Sequence, residues 1–185
     1  NINTNLGVKP ILIERFTDKV NSLVSKGCIK DFKIFTSMDT WGKQAEYIRT
    51  GLDLELWEKN LDTYMTKTNM PLKFMITFNI LTVTNFSKRL EKILEWRVKY
   101  NSDDQTKWQR IRFDSPYLKE PLQYDMNILP KDKFMPYMKQ HLQYIVDHQD
   151  DKDKHKFSEL EYEKFRRVVD YMESTNYTVE KLTEG

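Results

Sequence analysis

Short apolar runs that end in polar residues alternate along this chain with longer stretches whose apolar positions recur every three or four residues. The first kind reads as strands buried in a sheet, the second as helices that bury one face. Ile2 to Leu6 is the first strand candidate and stops at Gly7. Pro10 then stands at a first helical position, where its missing N–H costs nothing. Leu12, Phe16, Val20, Leu23 and Val24 form the stripe of the helix that follows, and Gly27 suits its end. Phe32 to Met38 is the second strand, and alternation groups Phe35, Ser37 and Asp39 on one face with Ile34 and Thr36 on the other. A turn from Thr40 feeds a short helix over Glu46 to Arg49, so that Ser37, Asp39, Glu46 and Arg49 are expected on one rim.

Asp53 can cap a further helix with the stripe Leu54, Trp57, Leu61, Tyr64 and Met65, before Pro71 restarts the pattern. Leu72 to Ile80 is the third strand, with Phe74, Ile76 and Phe78 opposite Met75, Thr77 and Asn79. Thr84 or Asn85 can cap the next helix, in which Phe86, Leu90, Ile93 and Leu94 are apolar and Lys88, Arg89, Glu91 and Lys92 mostly form the solvated face. Asn101 to Gln105 reads as a polar loop and Trp108 to Phe113 as the fourth strand, with Arg110, Arg112 and Asp114 on one side. Pro116 and Pro121 bracket an irregular segment. Pro130 opens a long helix carrying Phe134, Met138, Leu142, Ile145 and Val146, followed by a charged connector over Asp147 to Lys156. Ser158-Glu159-Leu160-Glu161 is a capping box for a last helix that buries Phe165, Val168, Val169 and Met172, and the chain after Ser174 is expected to fray.

Strand–helix alternation with right-handed crossovers predicts an α/β fold, a parallel sheet covered by helices, with function at the C-terminal ends of the strands. Those ends are Thr4-Asn5, Ser37 to Asp39, Asn79 and Asp114.

Composition narrows the classes. The 185 residues, 39% hydrophobic and 31% charged, suffice for one domain with a full core. A formal net charge of +2 implies neither a nucleic acid nor a membrane surface as partner. Cys28 is the sole cysteine, which excludes an internal disulfide or a thiolate metal cluster built from this chain and favours a reduced, cytoplasmic setting. No apolar run approaches the roughly 18–20 residues of a membrane span. The opening Asn1-Ile2-Asn3-Thr4-Asn5, without an initiator Met, reads as the inside of a strand and implies a truncated N-terminus.

Ile2-Asn3-Thr4-Asn5 resembles the Thr-Asn strand end, and Ser37-Met38-Asp39 the Ser-x-Asp strand end, of radical S-adenosylmethionine enzymes. The run Gly42-x-x-Ala45-Glu46-Tyr47-Ile48-Arg49-x-Gly51-Leu52-Asp53 resembles their twitch-domain-containing branch. The likeness extends to Thr77-Phe78-Asn79, Phe113-Asp114-x-Pro116-x-Leu118-x-x-Pro121, Ile128-Leu129-Pro130 and Phe157-x-x-x-Glu161. Each motif is short; their order and spacing carry the match.

The resemblance implies a partial TIM-like barrel of parallel strands with outer helices over residues 1–129, a C-terminal helical extension over 130–174 and a frayed tail over 175–185. It implies S-adenosylmethionine as cofactor, held by Thr4, Asn5, Ser37 and Arg49 with Asp39 orienting them, and a substrate side formed by Asn79, Arg112 and Asp114. Arg suits the cofactor's carboxylate because its fork of donors meets both oxygens. The family's four-iron four-sulfur cluster needs three closely spaced cysteines, so the chain is expected to be the later part of an enzyme. Cluster loop and glycine-rich second strand end would be missing, and the chain alone would be unable to cleave S-adenosylmethionine. An electron donor and an unidentified substrate are the implied partners.

Plainer readings stand beside these. Ser37 and Asp39 could cap a helix, and Glu46 with Arg49 could be a surface ion pair. Arg110 and Arg112 could serve a carboxylate or phosphate, or pair with Asp114. His141, His148 and His155 recur every seven residues, but no carboxylate shell accompanies them and no metal ligand set is expected. The alternative of a different class is a non-catalytic α/β interaction domain docking through the helices after Pro130.

Overall fold

The computed structural model describes residues 1–101 and 109–174. Among them, β1 (Ile2–Thr4), β2 (Ile34–Ser37), β3 (Leu72–Met75) and β4 (Ile111–Asp114) form one parallel sheet in the order β1-β2-β3-β4. The register aligns Asn3, Phe35, Lys73 and Arg112 in one row and Thr4, Thr36, Phe74 and Phe113 in the next. Helix α1 (Pro10–Ser25) joins β1 to β2, α2 (Lys43–Ile48) and α3 (Leu54–Lys67) join β2 to β3, and α4 (Phe86–Tyr100) joins β3 to β4. Two 3₁₀ turns, Leu122–Tyr124 and Met126–Ile128, lead into α5 (Lys131–Asp147) and α6 (Glu159–Ser174).

Each strand is the parallel neighbour of the one before it. Successive crossovers of one hand, all advancing in the same direction, leave their helices on a single face. Burial records this. Ile34, Thr36, Leu72, Phe74, Ile111 and Phe113 are buried, whereas Phe35, Ser37, Lys73, Met75 and Asp114 are half-buried and Arg112 is exposed. The sheet therefore has one face packed under helices and one open face, where all-parallel sheets are ordinarily covered on both.

The packed layer is aromatic. Trp57 of α3, Phe74 of β3 and Trp96 of α4 have ring centroids 5.5–6.0 Å apart, with Trp41 edge-on to Trp96 at 5.2 Å. Further along, Phe78, Phe86 and Phe165 join the chain beyond β3 to α4 and α6, and His141 of α5 shares a 2.7 Å hydrogen bond with the Val83 carbonyl.

Local expectations are met at several ends. Asp53 accepts from the Leu56 N–H at 2.9 Å, Pro10 opens α1, and Gly27 (φ 68°) follows its C-cap with backbone bonds Gly27 N–H to Val24 O and Cys28 N–H to Leu23 O. Elsewhere the structure differs from the periodicity. In α1 the buried face is Ile13, Thr17 and Val20, and Leu12 is 49% exposed, because the helix is rotated by about one residue from the expected stripe. Arg89, assigned to a solvated face, is fully buried among the tryptophans. The fourth strand starts at Ile111, leaving Arg110 before it; Trp108, the loop positions 102–105 and the tail over 175–185 lie outside the described residues. Helix α5 ends at Asp147, so His148 and His155 do not share a helical face with His141.

Candidate functional site

The rim at the C-terminal end of β2 is built around Asp39. This residue is 6% exposed. Its Oδ1 accepts from the Thr77 N–H at 2.9 Å, tying β2 to the chain beyond β3, and its Oδ2 accepts from Arg49 Nη2 at 2.8 Å. Helix α2 can start this abruptly because Gly42 adopts φ 75°, a left-handed conformation that costs a side-chain-bearing residue free energy. Arg49 is the C-cap of that six-residue helix and turns back over the rim, with its Nε buried and unpartnered. Glu46 goes elsewhere: its Oε1 accepts from the Leu54 N–H at 3.3 Å, at the start of α3. The surface pair of Glu46 with Arg49 is thus replaced by Asp39–Arg49.

Ser37, the last residue of β2, lies on the open face beside a shallow depression of about 350 Å³ lined by Asn3, Phe35, Ser37, Lys73 and Met75. That volume is at the small end of ligand clefts. The Ser37 side chain has no hydrogen-bond partner among the described residues.

The first strand contributes differently. Thr4 is in register with Thr36 and Phe74, the packed row, and its Oγ1 accepts from the Leu6 N–H at 3.1 Å. Asn5 Oδ1 accepts from the Gly7 N–H at 3.0 Å. Both side chains shape the turn after β1. Asn79 likewise holds the turn after β3: Oδ1 accepts from the Leu81 N–H at 2.9 Å and Nδ2 donates to Thr77 O at 3.1 Å. Hydrogen bonds join Asp39, Arg49 and Thr77 at one rim, while Ser37 faces the depression on the open face, whose lining includes none of these three, and the Thr4 hydroxyl lies on the other face.

Asp114 ends β4 on the open face. One of its oxygens, Oδ2, accepts from Lys73 Nζ at 2.6 Å and from Lys164 Nζ of α6 at 2.7 Å, while Oδ1 takes the Ser115 N–H at 3.1 Å. Burial works to raise its pKa, but Lys164 and Lys73 outweigh it and hold the carboxyl below its ordinary value. Arg112 stands directly across from Lys73 in the register and is exposed. Arg110, by contrast, points into the structure: its guanidinium donates to the carbonyls of Tyr100, Met65 and Thr68, closing the ends of α3 and α4.

Two lysines were not singled out from the sequence. Lys73 interrupts the apolar run Leu72-Lys73-Phe74-Met75, a signal that alternation could have turned into a cation on the open face. Lys164 carries no such signal, since its role depends on how α6 crosses the edge of the sheet. Among the described residues no group of three His, Cys, Asp or Glu side chains could hold a metal ion. Cys28 is exposed, in the turn leading to the N-terminal end of β2. His141, the buried imidazole, is engaged with Val83 O away from this face, and burial pushes its pKa down. The arrangement is one of donors and cations beside an apolar floor, suited to holding an anionic or zwitterionic ligand.

No helix of the described residues is long and apolar enough to cross a membrane. Comparison of the chain with protein-family models, with curated proteins and with solved structures gives no match.

Proposed function

We propose that this chain forms the later strands of a radical S-adenosylmethionine partial barrel, with S-adenosylmethionine held at the strand ends and substrate on the open sheet face. The supporting observation is the asymmetry of the sheet: helices pack on one face, and Ser37 and Asp114, the polar ends of β2 and β4, lie on the other.

The donor set fits the zwitterionic cofactor. Ser37 offers an unengaged hydroxyl, and Arg49 offers a guanidinium fixed by Asp39 whose buried Nε lacks a partner. A carboxylate bound there would meet the part of the guanidinium that Asp39 leaves uncovered, the Arg49 side chain being 31% exposed. Asp39 is a positioning residue, because both its oxygens are occupied within the protein. Thr4 and Asn5 act through the turn they cap. Bound S-adenosylmethionine supplies the adenosyl group from which hydrogen-abstraction chemistry starts; the chain's own residues bind, orient and shield. Asn79 sets the turn bordering the substrate side, and Arg112 and Asp114 lie on it.

A four-iron four-sulfur cluster does not fit these residues. It needs three thiolates, and the chain has Cys28 alone, placed toward the opposite end of β2 from Ser37.

The test is titration of S-adenosylmethionine into the chain, followed by amide chemical shifts. Saturable shifts at positions 37–42, 49 and 77, weakened in Ser37→Ala and Arg49→Ala, are expected. Unmoved amides at those positions would reject the cofactor reading and leave the interaction-module alternative.

A further inference from the structure

On the open face two ammonium groups share one carboxylate. Lys73 and Lys164 both donate to Asp114 Oδ2, its Oδ1 takes a backbone N–H, and Arg112 lies on the same face of β4 two residues before Asp114. Each ammonium has three N–H donors, and Arg112 adds five more with no ion pair among the described residues. Lys73 also lines the depression, and none of its companions there, Asn3, Phe35, Ser37 and Met75, is acidic.

We infer that this face binds the oxyanion group, carboxylate or phosphate, of a small molecule whose apolar part rests on Phe35 and Met75. The inference deepens the proposed function, resting on its assignment of the open face to substrate, and names the substrate's chemical class.

The geometry supports an anion over other ligands in three ways. A metal cation would meet a site already in positive excess. A neutral ligand would leave the ammonium groups with the same single carboxylate. The side chains of Lys73 and Lys164 are only 23% and 18% exposed, so they sit in partly desolvated positions where a second negative charge interacts more strongly than it would in water. Phe35 and Met75 are half-buried side chains on the same face, Phe35 two rows before Ser37 and Met75 paired with it, and both line the depression together with Lys73, the cation that connects it to Asp114, Lys164 and Arg112.

The experiment uses the described chain with three probes: benzyl phosphate, phenylacetate and benzyl alcohol, each titrated by calorimetry and by amide shifts. Saturable binding of at least one acidic probe, with shifts at positions 35, 37, 73, 75 and 112, is expected, and benzyl alcohol should bind about tenfold more weakly or worse. Phosphate favoured over carboxylate assigns a phosphorylated ligand, and the reverse a carboxylic acid. Affinity should fall in Lys73→Met and, in a variant whose exposed position spares the fold, in Arg112→Gln. Lys139→Met, which removes an exposed lysine of α5 paired with Glu173, should leave it unchanged. Equal binding of the alcohol, or acidic-probe affinity unaltered in both Lys73→Met and Arg112→Gln, would overturn the inference. Titration of S-adenosylmethionine into the same variants separates the two proposals: anion binding lost with cofactor binding kept removes this inference alone, and the converse removes the cofactor assignment alone.

Discussion

Arg97 donates from Nη2 to Glu161 Oε1 at 2.6 Å, with side chains 0% and 4% exposed, and the pair closes the outer edge of the sheet. In β4, the residues that bond to β3 are those on either side of Ile111 and Phe113, so these two present their backbone groups to the free edge. Arg97 Nε donates to Ile111 O at 3.0 Å, and the Phe113 N–H donates to Glu161 Oε1 at 3.0 Å. Two side chains from α4 and α6 thus stand where a fifth strand would, and they remove the pairing template that an edge strand otherwise offers.

That arrangement makes Glu161 a sensitive position. Glu161→Ala strands a buried guanidinium and an edge N–H together, and removal of one partner of such a pair costs about 3–5 kcal/mol. Urea unfolding should show this loss, and Arg97→Met combined with Glu161→Leu should recover much of it. A single Glu161→Ala loss under about 1 kcal/mol would mean that water replaces the carboxylate.

Arg89 is the opposite case. Its guanidinium carbon lies 4.0 Å from the Phe74 ring centroid and 4.9 Å from that of Trp96, while Nε, Nη1 and Nη2 have no hydrogen-bond partner among the described residues. Burial drives its pKa down to about 9, partly countered by Asp39. Cation–π attraction contributes about 2 kcal/mol when desolvated, less than the several kcal/mol needed to bury an unpaired ion. Arg89→Met should therefore raise the denaturation midpoint. A lowered midpoint would show that the rings outweigh desolvation.

Asp39→Asn tests the rim. Asn can still accept the Thr77 N–H, but its amide would replace the oxygen that holds Arg49. Loss of one charge-assisted hydrogen bond corresponds to about 1.5–3 kcal/mol. S-adenosylmethionine affinity should fall together with that of Arg49→Ala, and the double variant should add little, since both act through one contact.

How far this was legible differs from residue to residue. The capping box is local, and it forms as read: the Ser158 N–H donates to Glu161 Oε2 at 3.1 Å and the Glu161 N–H to Ser158 Oγ at 3.4 Å. The second duty of the same carboxylate, toward an arginine 64 positions away, has no local signal. Period-two alternation correctly put Ser37 on the face opposite Thr36, because a strand's geometry is independent of what packs on it. It could not show that Thr4 shares the row of Thr36, which depends on register between strands. Arg89 defeated the helical pattern since its neighbours Lys88, Glu91 and Lys92 are polar, and only the meeting of Trp41, Trp57 and Trp96 makes a place for it.

Acid stability should fall in two steps. His141 has its pKa lowered from 6.5 chiefly by burial, with the Val83 carbonyl acting the other way. The unfolded chain therefore takes up a proton on this ring where the folded chain does not, and stability declines as pH drops below 6.5. Asp114 is held below 3.8, since Lys164 and Lys73 overcome the effect of burial. Its contribution is fully present above 3.8 and disappears as pH falls through the lower folded-state value, when the carboxyl is protonated and the two ammonium groups lose their shared partner. Unfolding free energies measured in urea between about pH 3 and pH 8 should resolve both declines. His141→Gln should flatten the upper one and leave the lower, whereas Asp114→Asn should reduce the lower and leave the upper. An upper decline that persists in His141→Gln would assign that proton to a different group.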